Sequence, residues 1–183
     1  MLKKALTLFI IITMVVLQTT FFQFVSINNV SPNLFIITIV SLSALRGRNE
    51  GLFYAVAFGF IHDVFYGSVV GFYILIYTFI AFFSGYLYEN YDGESVVIPL
   101  SVIGVADLIY NFIVYFFTYL LRGRLDLGYY IFQLILPEIT YTIVVAVLLY
   151  RIYIVYVRFI FQYEKTKRKG KEEIDDRTFK RHF

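Results

Sequence analysis

Six long apolar runs divide this chain, and charged or turn-forming residues separate them. A helix of about 20 residues crosses the hydrocarbon core of a bilayer, and its backbone groups bond internally. Of 183 residues, 60% are hydrophobic and 16% are charged, which excludes an ordinary soluble domain. The pattern predicts an all-α polytopic membrane protein with about six transmembrane helices. The runs cover approximately residues 5–25, 30–45, 51–66, 69–88, 96–121 and 127–150.

The second and third runs are too short to cross comfortably, which leaves two interpretations. A re-entrant hairpin would place its tip, with Arg46 and Arg48, near the bilayer centre. Each arginine there costs about 2.5 to 3.5 kcal/mol on insertion scales. Two thin, tilted crossings are therefore favoured, and both interpretations leave the two chain ends on the same side.

Lysine and arginine placement predicts the orientation. With the N-terminus inside, fourteen basic residues face the cytoplasm and two, Arg122 and Arg124, lie outside. The first run is too long for a secretory signal and lacks a small-residue cleavage site, so we expect a retained helix. The prediction is a membrane bundle over residues 1–160 and a charged, flexible cytoplasmic tail over 161–183.

A ladder of small residues spaced four apart marks the third run and the turn after it. Residues four apart share one helix face, and small residues there allow close approach of another helix. An acid at membrane depth beside such a groove is a candidate functional site. The ladder, predicted as a partner or helix-packing interface, consists of Gly51, Ala55, Gly59, Asp63, Gly67 and Gly71.

Three acids fall inside predicted helices, and their partners define the alternatives. Asp63 lies toward the outer end, so a candidate ion pair joins it to Arg122 or Arg124. Reversing both charges together should restore function if that pair exists. The intramembrane polar residues Asp107, Asn111 and Glu138 could serve a transport relay, or each acid could simply pair with a polar neighbour inside the bundle.

The tail changes from basic to acidic within a few residues. One interpretation is a solvated, partly disordered segment. The other is contact with anionic membrane lipids, or with a cytoplasmic partner, through the basic cluster. That cluster comprises Lys165, Lys167, Arg168, Lys169 and Lys171.

Catalytic chemistry is poorly supplied, so we expect no enzyme, no cofactor and no metal site. The chain has no cysteine and two histidines, His62 and His182. No phosphate loop, zinc-protease, serine-hydrolase or dinucleotide motif occurs. Nucleic acid is not an expected partner either. His62 adjoins Asp63, but neighbouring helix residues point about 100° apart, which favours a packing or hydrogen-bonding role for the histidine.

Several motifs together resemble the MreD family of bacterial rod shape-determining membrane proteins. The densest similarity lies within residues 32–85, and the resemblance covers most of 1–155. The motifs are Leu17-Gln18-Thr19-Thr20, Ser31-Pro32-Asn33-Leu34, Ser41 to Gly47, Glu50-Gly51, Phe58 to Gly67, Gly71-Phe72-Tyr73, Gly85-Tyr86-Leu87 and Pro137.

The resemblance implies a non-enzymatic scaffold of the cell elongation machinery in the bacterial inner membrane. The implied partner is MreC, and indirectly MreB, RodA and a class B penicillin-binding protein. The implied fold resembles the substrate-binding subunits of energy-coupling-factor transporters, which is an architectural analogy alone. The alternative function is a small-solute or vitamin-binding subunit of such a transporter.

Overall fold

A computed structural model describes residues 2–26, 30–67, 69–87, 96–118 and 127–179. Within these ranges the regular elements are helices, and two of them contain π-helical turns. The elements, in chain order, are α1 Leu2–Val16, π1 Leu17–Phe21, α2 Phe22–Phe24, α3 Leu34–Arg46, α4 Arg48–Tyr66, α5 Phe72–Ser84, α6 Val97–Thr118, α7 Leu127–Tyr130, π2 Ile131–Ile135 and α8 Leu136–Phe179.

Helix α3 is the centre of the bundle. Residues from Leu34 to Ala44 are all buried, and α3 contacts α4, α5, α6 and α8. A helix that is apolar on every side is stable only when other elements surround it. At 13 residues it is about 20 Å long, shorter than the hydrocarbon core of a bilayer. Its buried residues are surrounded by other helices of the protein.

A single glycine joins α3 to α4. Gly47 has φ of 93°, a left-handed conformation that glycine adopts without steric cost, and it ends one helix while starting the next. Arg46 and Glu50 form an ion pair of 3.3 Å across this turn. Nearby, the guanidinium of Arg48 lies 4.4 Å from the centre of the Phe82 ring. The turn therefore holds the start of α4 close to the end of α5.

Three helices are long and apolar enough to cross a membrane among the described residues. They are Leu6–Phe24, Val97–Thr118 and Gly128–Tyr163. Helices α3 and α5 are apolar but shorter, with 13 residues each. The chain is thus an integral membrane protein by these three helices, while the number of crossings beyond three stays a prediction.

Two apolar runs differ in length from the helices they form. The run 69–88 yields α5 only from Phe72, because Gly71, with φ of 103°, breaks the backbone before it. The run 127–150 continues as α8 to Phe179, well past Arg151. Charged residues end an apolar run, but they are good helix formers and do not end a helix.

The outer surface of the bundle carries many large apolar side chains. Phe60, Phe79 and Leu148 are 55%, 57% and 67% exposed. A soluble monomer rarely exposes such continuous apolar area, whereas lipid tails cover it favourably. This surface agrees with the membrane location that the three long helices indicate.

Candidate functional site

The small-residue ladder packs against helices of this same chain. A Cβ placed on Gly51 would lie 2.7 Å from the Cβ of Ser43 in α3, and Ala55 is fully buried. A Cβ on Gly59 would lie 2.5 Å from the Cα of Ile74 in α5. These contacts are the helix-packing alternative of the predicted interface, and docking of a second protein on the ladder stays a prediction.

Asp63, the acid of the ladder, caps a neighbouring helix. Its carboxylate accepts hydrogen bonds from the backbone N–H groups of Gly71 (2.9 Å), Tyr73 (2.9 Å) and Ile74 (3.3 Å). These donors are among the N-terminal groups of α5 that the helix cannot satisfy itself. A negative charge is also favoured at a helix N-terminus. Asp63, 2% exposed, therefore fixes the start of α5 against the end of α4.

Two glycines shape the turn that brings these amides to Asp63. Gly67 ends α4, and its N–H donates to the carbonyl of Asp63 at 3.0 Å. A Cβ there would lie 2.6 Å from that same carbonyl oxygen. Gly71 holds φ of 103° with open space around it, so only its backbone conformation demands glycine. Both positions of the predicted ladder thus serve the turn.

The predicted partners of Asp63 in the outer loop, Arg122 and Arg124, lie outside the described residues. The described hydrogen bonds of its carboxylate go to backbone amides of α5. The ion pair therefore stays a prediction, and Asp63 has a structural role that does not depend on it.

The other predicted intramembrane polar residues lie together between α6 and α8. Asp107 is fully buried, and the side-chain amide of Asn111 donates to its backbone carbonyl at 3.0 Å. Glu138 lies beside both Asp107 and Asn111. Thr142, also fully buried, lies next to Asp107 and accepts a hydrogen bond of 3.1 Å from the N–H of Asn33. The polar cluster therefore joins three helices.

A stack of aromatic rings lies on the α4 and α5 side of this cluster. His62 stacks on Tyr73 with 3.9 Å between ring centroids, and its Nδ1 lies 2.8 Å from the hydroxyl of Tyr77. Tyr77 stacks in turn on Tyr110 of α6. The ring of His62 is therefore held by aromatic neighbours, in agreement with the packing role expected for it.

A cavity of about 220 Å³ opens between the aromatic stack and the polar cluster. It lies at the end of the bundle opposite Gly47, because its lining includes residues at the start of α3 and at the end of α4. Both π-helical elements contribute to its wall, through Gln18 and Leu134. Its polar lining consists of Gln18, Gln23, Ser31, Asn33, His62, Tyr66, Tyr110 and Glu138.

Hydrogen bonds fix most of these lining groups in place. Gln18 accepts from the N–H of Leu34 at 2.8 Å, and Asn33 accepts from the N–H of Ile36 at 3.2 Å. Both side chains therefore cap the start of α3. Gln23 donates to the hydroxyl of Tyr66 at 3.2 Å, which links α2 to α4.

The sequence analysis named Glu138 as an intramembrane polar residue but missed the cavity that it lines. An asparagine before an apolar run is an N-cap signal, so the role of Asn33 was readable. Gln18 caps a helix that begins sixteen residues later, and no local pattern indicates such a contact. Within the described residues, no group of three or more His, Asp or Glu side chains is placed to hold a metal ion.

A family model described as "rod shape-determining protein MreD" matches residues 2–160. No curated protein and no solved structure matches the chain significantly. The match runs from α1 into α8 and includes the Gln18, Asn33 and Asp63 caps and the residues that line the cavity. The chain belongs to the MreD family of rod shape-determining membrane proteins.

Proposed function

We propose that this protein is a non-enzymatic membrane scaffold of the cell elongation machinery. It binds MreC and helps to position lateral peptidoglycan synthesis, with MreB, RodA and a class B penicillin-binding protein as indirect partners. The family match over residues 2–160 carries the proposal. The ladder supports a structural role. Gly51 and Gly59 lie against α3 and α5, and the carboxylate of Asp63 accepts hydrogen bonds from backbone amides of α5.

The proposed location is the bacterial inner membrane, with several crossings and both termini in the cytoplasm. The excess of basic residues in the predicted inner segments supports this orientation. The basic cluster that begins at Lys165 is proposed to contact anionic lipids, because it follows directly on the last long apolar helix.

The test is affinity capture of the protein from membranes together with rescue of rod shape in cells that lack it. The wild type should capture MreC and restore rods. Gly59→Leu should lose both, because its side chain would meet the backbone of α5. Val64→Leu is the matched control, since Val64 is 59% exposed on the same helix. A Gly59→Leu protein that binds MreC and restores rods would remove the groove from the proposal.

The cavity favours a second candidate, a small-solute or vitamin-binding subunit of an energy-coupling-factor type transporter. The cavity combines aromatic rings with polar groups that would orient a small molecule, although at about 220 Å³ it suits only a small one. This candidate predicts capture of an ATPase module in the same experiment. Capture of MreC without an ATPase supports the scaffold, and the reverse result supports the transporter.

A further inference from the structure

The cavity of about 220 Å³ is unusual because polar groups line it inside an apolar bundle. A water molecule occupies about 30 Å³ in the liquid, so the space corresponds to roughly seven waters. Such a space is large enough for a short polar molecule or a lipid headgroup. Its wall combines residues of the first helix, the connection 30–33, α3, α4, α6 and the last helix. A substitution in one of these six segments therefore leaves most of the wall unchanged.

The cavity wall is held by hydrogen bonds rather than by loose side chains. Gln18 and Asn33 are tied to the start of α3, and Gln23 is tied to Tyr66. His62 is tied to Tyr77. Because these groups already serve the fold, the cavity cannot close by rotation of their side chains without loss of a hydrogen bond.

A single acidic side chain lines the described part of the cavity. Among the described lining residues, Glu138 is the sole acid, and none is lysine or arginine. Asp107 lies close enough to Glu138 to interact with it electrostatically, which adds a second carboxyl group to the same region. An anionic ligand would therefore meet carboxyl groups without compensation. A cation would gain a charge-assisted hydrogen bond to Glu138.

The aromatic wall favours the same sign of charge. The aromatic residues Phe35, Tyr66 and Tyr110, from α3, α4 and α6, line the cavity together with Glu138. The face of an aromatic ring attracts ammonium groups, and the attraction grows where water is excluded. A carboxylate together with aromatic faces is a chemical environment suited to an organic ammonium.

We propose that this cavity binds a ligand that carries a protonated amine, with Glu138 as its counter-ion. The ligand is either a free small amine or the ethanolamine headgroup of a membrane lipid, since both present the same ammonium group. The site is additional to the scaffold role, and its test needs no MreC.

The first experiment measures the free amine on the full-length protein in nanodiscs of phosphatidylglycerol, a lipid without nitrogen. Aminopentanol and pentanediol are compared by thermal unfolding, because they have the same length and differ by one ammonium. Aminopentanol should raise the melting temperature and the diol should not. Glu138→Gln should weaken aminopentanol binding about tenfold or more, since it removes a charge-assisted hydrogen bond. Glu138→Asp keeps the charge and should retain the preference for the amine.

The second experiment measures the lipid headgroup. Nanodiscs with equal phosphatidylethanolamine and phosphatidylglycerol are followed by native mass spectrometry of retained lipids. Preferential retention of phosphatidylethanolamine by the wild type, and its loss in Glu138→Gln, assigns the site to a lipid. A preference for the free amine alone assigns it to a soluble ligand.

The proposal is overturned if amine and neutral analogue bind equally in both experiments, or if Glu138→Gln keeps the wild-type preference. Thr140→Ala, an exposed change on the same helix, is the control for effects on folding. Melting of each variant without ligand shows separately whether it folds. Loss of MreC capture with intact amine binding would contradict the scaffold and leave this site standing.

Discussion

Two adjacent side chains, His62 and Asp63, have separate roles in this molecule. Asp63 binds three backbone amides of α5, while His62 stacks on Tyr73 and contacts Tyr77. The sequence predicted that they would not face each other, from helical geometry alone. It could not predict the cap, because that contact depends on a turn of two glycines between the helices.

Asp63→Asn should lower the stability of the protein by about 1 to 3 kcal/mol. Asparagine has one acceptor oxygen where Asp63 has two, so at least one amide of α5 loses its hydrogen bond. Thermal unfolding in detergent, followed by circular dichroism, measures the change.

The joint change Arg122→Gln and Arg124→Gln provides the comparison. If Asp63 acts through its backbone bonds, this double variant should unfold at the wild-type temperature. An equal loss of stability in both proteins would favour the predicted ion pair over the cap.

Gly71→Ala should destabilise the protein by about 1 kcal/mol, because φ of 103° strains any residue with a Cβ. The surrounding space is open, so no steric clash adds to this strain. Gly128→Ala is the matched control. Gly128 is helical, and its added Cβ also meets open space, so alanine there should be neutral or stabilising. Equal melting temperatures for the two variants would contradict the assignment.

At the scale of helices, close packing of α4 depends on what lies opposite each glycine. Gly51 faces the side chain of Ser43, whereas Gly59 faces the backbone of Ile74. The spacing of small residues four apart in the sequence predicted a groove along α4. Which helix fills each part of it depends on the chain path through Gly47 and Gly71, which a pattern within one helix does not encode.

This difference predicts which substitution a second change can rescue. Gly51→Ala should cost about 1 to 3 kcal/mol through overpacking, and Ser43→Gly should restore part of that stability by removing the opposing side chain. Gly59→Ala should not be rescued by Ile74→Gly, because the backbone of residue 74 remains. Chemical or thermal unfolding of the four variants tests this. Rescue at both positions would show that α5 can shift away from α4.

At the scale of the whole molecule, the sequence predicted the all-helical membrane class and the family. It overestimated the length of the fourth helix and ended the last helix too early. Apolar runs report where lipid or protein surrounds a helix, not where its hydrogen bonds stop. The cavity was not predictable, because its wall combines residues from six segments that only the tertiary fold brings together.

The absence of cysteine makes the topology directly measurable. Single substitutions Asn49→Cys and Glu173→Cys should react with a membrane-impermeant maleimide only from the cytoplasmic side, because both follow the positive-inside assignment. Gly123→Cys should react only from outside. If the maleimide labelled Asn49→Cys from neither side of the membrane, the re-entrant hairpin would be favoured over two crossings.

Helix α8 is the longest element of the described residues. Its 44 residues extend about 66 Å, roughly twice the thickness of the hydrocarbon core. The π-helical turn Ile131–Ile135 precedes it, just before Pro137, where the missing N–H loosens helical bonding. If that turn rewound as α-helix with the same sequence, the following helix would rotate by up to about 100° and move along its axis by about 1.5 Å. A local change of helical winding near Glu138 would thus rotate the part of α8 that lies toward the other face of the membrane.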